Sequence, residues 1–83
     1  MSNKLYAEII TPEAILYAGE VNVVGLPGEL GIFEVMKNHA PIISTLVKGK
    51  IKIRDTNGYV TYFEINTGVV EVTNNEVKIL VTL

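Results

Sequence analysis

The run Lys50-Ile51-Lys52-Ile53-Arg54 alternates cationic and apolar residues without a break, and Asp55-Thr56-Asn57-Gly58 follows it directly. Strict alternation puts the cations on one face of an extended strand and the isoleucines on the other. Asp in first place and Gly in fourth read as a type I turn with Gly in the left-handed position. A three-residue hairpin loop with a Gly bulge is the matching connection. That register sets Ile51 opposite Phe63, Ile53 opposite Thr61 and Lys50 opposite Glu64. A two-residue Asn-Gly loop would set Phe63 opposite Lys52, so parity decides against it. Asn74-Asn75 predicts a second hairpin with a two-residue loop, because both residues tolerate positive φ. It pairs Val72 with Val77, Val70 with Ile79 and Glu71 with Lys78.

Strand signals fill the rest of the chain. Leu5 to Ile10 alternates and stops at Thr11-Pro12. Ile15 to Tyr17 is ended by Gly19, Val21 runs to Leu26, and Ile32 to Val35 and Ile42 to Val47 follow. No segment carries a 3.6-residue apolar period. About ten short strands at this spacing predict an all-β single domain over residues 1–83, built as a sandwich or a barrel. Between two of these runs lies Leu26-Pro27-Gly28-Glu29-Leu30-Gly31. The X-Pro step extends Leu26, Pro27 suits a turn, and Gly28 and Gly31 admit positive φ, so a sharp bend is expected there.

Composition narrows the function. Hydrophobic residues make up 48% of the 83 and charged residues only 19%. Low charge on a lone small domain points to a face covered by a partner. The net charge of -2 gives no electrostatic footprint for nucleic acid. Without cysteine there is neither a disulfide nor a thiolate site, which fits a reducing, cytoplasmic setting. No signal peptide is read at the N-terminus, and no apolar run approaches the ~20 residues of a membrane span.

Catalytic readings find little support. Ser44, His39 and Asp55 are a hydrolytic set on paper, but Asp55 is already explained as a turn residue and Ser44 lacks a nucleophile-elbow context. A loop histidine that packs or hydrogen-bonds at an interface is the expectation for His39. One histidine and scattered glutamates do not make a metal site. Gly28-x-x-Gly31 precedes a strand rather than the helix that phosphate binding requires. Lys48, Lys50, Lys52 and Arg54 read as a solvated face, partly paired through Glu64. No catalytic residue, cofactor or metal is assigned.

Several segments, in order, resemble one family. Ile9-Ile10-Thr11-Pro12-Glu13 is similar to its opening strand and "TPE" turn, and Tyr17-Ala18-Gly19-Glu20-Val21 to the "Y-S-G-E-V" after it. Leu26-Pro27-Gly28-x-x-Gly31-x-Phe33 with His39-Ala40-Pro41-Ile42-Ile43 resembles its most specific motif, "LPG-x-x-G-x-F-G-V-L-P-G-H-A-P-L-L". Gly68-Val69-Val70-Glu71-Val72 and Asn74-Asn75-Glu76-Val77 resemble its last hairpin. The family is the epsilon subunit of F-type ATP synthase, through its N-terminal domain.

The resemblance implies a flattened sandwich of two mostly antiparallel sheets. It implies a non-catalytic rotor subunit that couples the gamma shaft to the membrane c-ring during proton-driven ATP synthesis. Ring contact carries over to Glu29, Leu30, Gly31 and Ile32, and contact with gamma to His39 and Ser44. Membrane association would run only through partner subunits, at the cytoplasmic face of a bacterial plasma membrane or its equivalent. The sequence stops at Leu83, where many family members continue into a helical hairpin, so either a naturally short form or a shortened chain is expected. Phe33-Glu34-Val35-Met36-Lys37-Asn38-His39 departs from the family's Phe-Gly-Val-Leu-Pro-Gly-His, with Asn38 able to replace a positive-φ glycine. A free-standing β-sandwich adaptor is the alternative reading.

Overall fold

The computed structural model describes residues 4–83, which form eight strands. They are β1 (Leu5–Ile10), β2 (Ile15–Gly28), β3 (Gly31–Val35), β4 (Ile42–Leu46), β5 (Gly49–Asp55), β6 (Val60–Ile65), β7 (Thr67–Thr73) and β8 (Glu76–Thr82). All belong to one hydrogen-bonded sheet in the order β1-β8-β7-β4-β2-β5-β6, with β3 and β1 also paired to β2. Every pairing is antiparallel except β1 with β8.

β2 makes this one sheet into two layers. Its first half pairs β1 from Ile15 to Val21, and its second half pairs β3 and β5. One layer is therefore β1, β8, β7 and β4 with the start of β2. The other is β3, the end of β2, β5 and β6. The turnover comes at a bulge: Val21 pairs Asp55 while Val23 pairs Arg54, so Asn22 is an extra residue. The bulge changes the parity of burial. Odd-numbered Val21 joins the central core before it and even-numbered Val24 and Leu26 after it, while Val23 is covered outside that core.

β2 also explains why eight strands stand where about ten were expected. Gly19 does not end a strand; it pairs Ala7 in mid-ladder. A side chain there would meet only the Tyr17 ring at ordinary contact distance. Pro27 and Gly28 likewise continue β2 rather than turn it. Pro27 lies where the partner on one side of β2 changes from β5 to β4, a place where a missing N–H disturbs the ladder least. Its carbonyl accepts from the Val47 N–H at 2.9 Å.

Both predicted hairpins have the expected register. Ile51 faces Phe63, Ile53 faces Thr61 and Lys50 faces Glu64. The Gly58 N–H donates to the Asp55 carbonyl at 3.1 Å, with Gly58 at φ +88°. Val72 pairs Val77, Val70 pairs Ile79, and Asn74 and Asn75 hold φ of 50° and 62°. Inward residues of the two layers meet in a single aliphatic core that includes Ile9, Leu26, Leu46, Ile51, Ile53, Val70 and Ile79. Tyr17 and Phe63 seal its flank, ring edge to face, at 5.9 Å.

The β1–β2 turn is held by one hydroxyl. Buried Thr11 Oγ1 accepts from the backbone of Glu13 at 3.2 Å and Ala14 at 3.0 Å, and donates to the Ala14 carbonyl at 3.2 Å. Thr11→Val keeps the shape and takes the acceptor from the Glu13 and Ala14 N–H groups, while the Thr11 N–H keeps its 2.8 Å bond to the Ala14 carbonyl. It should cost about 1–3 kcal/mol in chemical denaturation, whereas exposed Thr45→Val should stay within about 0.5 kcal/mol.

Tyr17 gives the fold a pH dependence. Burial, and secondarily the negative Asp55, push its phenol above the ordinary value of 10.0. The fold thus holds this proton more tightly than the unfolded chain does. Its contribution to stability is complete below pH 10.0 and is lost as the pH rises through the folded value. Tyr17→Phe should flatten the decline of stability above that pH, measured by urea unfolding at several pH values.

Candidate docking surface

The β2–β3 hairpin ends in the shortest connection the geometry permits. Gly28 pairs Gly31, leaving Glu29 and Leu30 as a two-residue loop. Gly31 takes φ +129°, a value that L side chains rarely adopt. Gly28 does not have positive φ; it is needed for space. A Cβ there would lie 2.9 Å from the Phe33 ring and 3.0 Å from the Gly31 carbonyl. With Phe33 turned to the core, its neighbours face out: Ile32 is 83% exposed and Leu30 wholly so. Two large aliphatic side chains thus stand in water at the tip of a stiff hairpin.

A groove of about 620 Å³ separates this tip from β4. Gly28 to Phe33 line one wall and Ile42 to Thr45 the other. Ser44 is therefore beside Glu29, Leu30, Gly31 and Ile32, not beside His39. Its hydroxyl donates to the Thr45 carbonyl at 3.3 Å. His39 precedes β4 at the far end, five residues away, or roughly 16 Å of extended chain. A carbonyl only accepts, so His39 Nδ1 donates to the Ala40 oxygen at 2.7 Å.

The paper triad thus dissolves into three local contacts. Asp55 Oδ1 is taken by the N–H groups of Asn57 at 2.9 Å and Tyr59 at 3.0 Å, as a turn aspartate should be. Among the described residues no three His, Cys, Asp or Glu side chains gather as a metal site, and no helix is long and apolar enough to cross a membrane.

The outer face of the β4-β7-β8-β1 layer adds a feature the sequence reading missed. Its registers align Thr45, Val69, Leu80 and Ile10 in one row across four strands. This row floors a second groove of about 570 Å³, edged by Pro12, Thr67 and Thr82. The adjacent row is Ile43, Glu71, Lys78 and Glu8, so charge borders the apolar strip. The signal was present in the alternation: once Val70, Val77, Ile79 and Val81 face inward, Val69 and Leu80 must face out.

Two of the four cations in the basic stripe are engaged. Lys52 Nζ reaches Glu34 at 3.5 Å, passing over Gly25, where a Cβ would crowd the Lys52 Cβ at 3.2 Å. Lys50 Nζ lies 6.0 Å from the Tyr62 ring centre, and its strand partner is Glu64.

Residues 4–82 match the family model described as "ATP synthase, Delta/Epsilon chain, beta-sandwich domain". The chain belongs to that family. An ATP synthase epsilon chain of Leptospira interrogans is 39% identical over 79 residues, covering 95% of this chain and 61% of the relative. One from Sulfurimonas denitrificans is 43% identical with the same coverages. The Chlorobaculum tepidum epsilon chain is 36% identical over 73 residues, covering 88% and 83%. The chain thus spans about three fifths of the length of the first two of these delta/epsilon relatives. The fold recurs in a chain of the Euglena gracilis mitochondrial ATP synthase, with a TM-score of 0.92 and 14% identity, covering 100% of this chain and 53% of that one. It recurs again in the central stalk/c-ring structure of Tetrahymena thermophila ATP synthase, with a TM-score of 0.82 and 20% identity over 96% and 64% of the two chains.

If the tip residues serve contact and not folding, removing their apolar bulk is free of cost to the monomer. Leu30→Ser with Ile32→Ser should leave the unfolding free energy within about 0.5 kcal/mol of wild type. The same variant should bind less of a hydrophobic dye such as ANS.

Proposed function

We propose that this chain is a non-catalytic rotor subunit of an F-type ATP synthase, joining the gamma shaft to the membrane c-ring during proton-driven synthesis. The observation that carries the reading is the tip: Leu30 and Ile32 stand exposed on a glycine-bounded two-residue turn within a delta/epsilon-family domain. Exposed aliphatic groups on a fixed backbone gain most from being covered, at about 25 cal/mol per Å² of apolar surface, with little ordering cost. Glu29, Leu30, Gly31 and Ile32 meet the c-ring in this reading. His39, ahead of β4, and Ser44, at its middle, meet gamma in this reading, with exposed Ile43 next to Ser44.

Mechanical coupling asks for stiffness. β2 spans both layers, so the two cannot slide without breaking its ladders with β1, β3 and β5. No residue is assigned a catalytic role, and no cofactor or metal takes part. Association with the membrane runs through the partner subunits, on the cytoplasmic face of a bacterial plasma membrane or the corresponding side of another energy-coupling membrane. The Tetrahymena structure with this fold, described as a central stalk/c-ring assembly, supports the reading.

Titrating the chain into the gamma subunit of its own synthase should give a stable one-to-one complex by calorimetry and size exclusion. Ile43→Glu should weaken it by about tenfold or more, since a buried unpaired carboxylate costs at least ~1.4 kcal/mol. Absence of association at micromolar concentration would overturn the assignment and favour an adaptor for some other protein.

A further inference from the structure

Two asparagines far apart in sequence meet beside His39. Asn75 is the second residue of the β7–β8 turn, and its left-handed backbone aims its side chain across to the β3–β4 connection. There Asn75 Oδ1 accepts from the Asn38 N–H at 2.7 Å, and Asn75 Nδ2 donates to Asn38 Oδ1 at 3.4 Å. Asn38 is itself left-handed, at φ 68°. The Asn75 carbonyl meanwhile accepts from the Tyr6 N–H at 2.9 Å. One residue therefore anchors to β1 through its backbone and to the β3–β4 connection through its side chain.

The connection needs such an anchor. Met36 to Pro41 contains no strand, and its own backbone is tied by a long bond from the His39 N–H to the Met36 carbonyl at 3.2 Å. Asn38 precedes His39 directly, so holding Asn38 by both its N–H and its side chain restrains the backbone that leads into His39. The short 2.7 Å bond is the strongest non-local tie on this connection.

We infer that the Asn38–Asn75 pair is a positioning clasp that holds His39 in the orientation its partner reads. The pair touches no partner in this scheme; it acts through His39. The inference deepens the proposed contact of His39 with gamma and rests on that reading.

The substitutions separate backbone from side chain. Asn75→Gly keeps the left-handed turn and deletes both clasp bonds. Asn75→Asp keeps the Oδ1 acceptor for the Asn38 N–H. Exchange of the Asn38 amide, followed by NMR on the isolated chain, should accelerate about tenfold in Asn75→Gly and remain slow in Asn75→Asp. Affinity for gamma should fall roughly fivefold in Asn75→Gly and recover in Asn75→Asp, while the β7–β8 amides keep their protection. Unchanged Asn38 exchange in Asn75→Gly would overturn the clasp. Faster exchange with unchanged gamma affinity would overturn its positioning role. Failure of the wild-type chain to bind gamma would instead sink the functional reading, and the exchange data would still judge the clasp.

Discussion

The one-residue bulge at Asn22 is the constraint on which the architecture depends. A strand of fourteen residues would otherwise keep one set of side chains facing one way throughout. Here the extra residue reverses which parity faces the core, just where β2 leaves β1 for β3 and β5. Val21 can then pack with the β1-β8-β7-β4 layer and Val24 with the β5 layer. Without that reversal, Val24 and Leu26 would point into water, and the two layers would have no shared strand.

From this follows the character of the docking surface. Because β2 is tied on both flanks, the hairpin that extends from its end is stiff, and its glycines remove the remaining slack. The exposed side chains on it are presented by the fold instead of being left over from it. The same holds for β4, whose inward Leu46 is locked against Gly28 of β2 while Ile43 faces out. Surface built this way differs from a flexible apolar loop, which would lose much of its binding energy to ordering.

Legibility in the sequence tracked how local each interaction is. The β5–β6 and β7–β8 registers could be read because turn chemistry at Asp55 to Gly58 and Asn74-Asn75 acts on its immediate neighbours. β2 was read as two pieces, because Gly19 and Pro27 are ordinary strand punctuation and because the doublet Val23-Val24 hides a change of phase. A bend between Gly28 and Gly31 was legible from its glycines, whereas Leu30 and Ile32 entered as contact residues only through the family resemblance. The grouping of Ser44 with the tip was not legible, since it depends on the short junction where Gly28 pairs Leu46 and the Pro27 carbonyl accepts from the Val47 N–H. Nor was the bond between Asn38 and Asn75, which joins residues 37 apart.

β8 is the last of the eight strands in chain order, yet it lies between β1 and β7. On a ribosome, β1 must wait for β8 before its second edge is covered. Val77, Ile79 and Val81 arrive together and complete the aliphatic interior in one step. A nascent chain stalled before them exposes an unpaired β1 edge and half a core. Packing of this domain is thus gated by the synthesis of β8, since the stiff two-layer form needs that strand in place between β1 and β7.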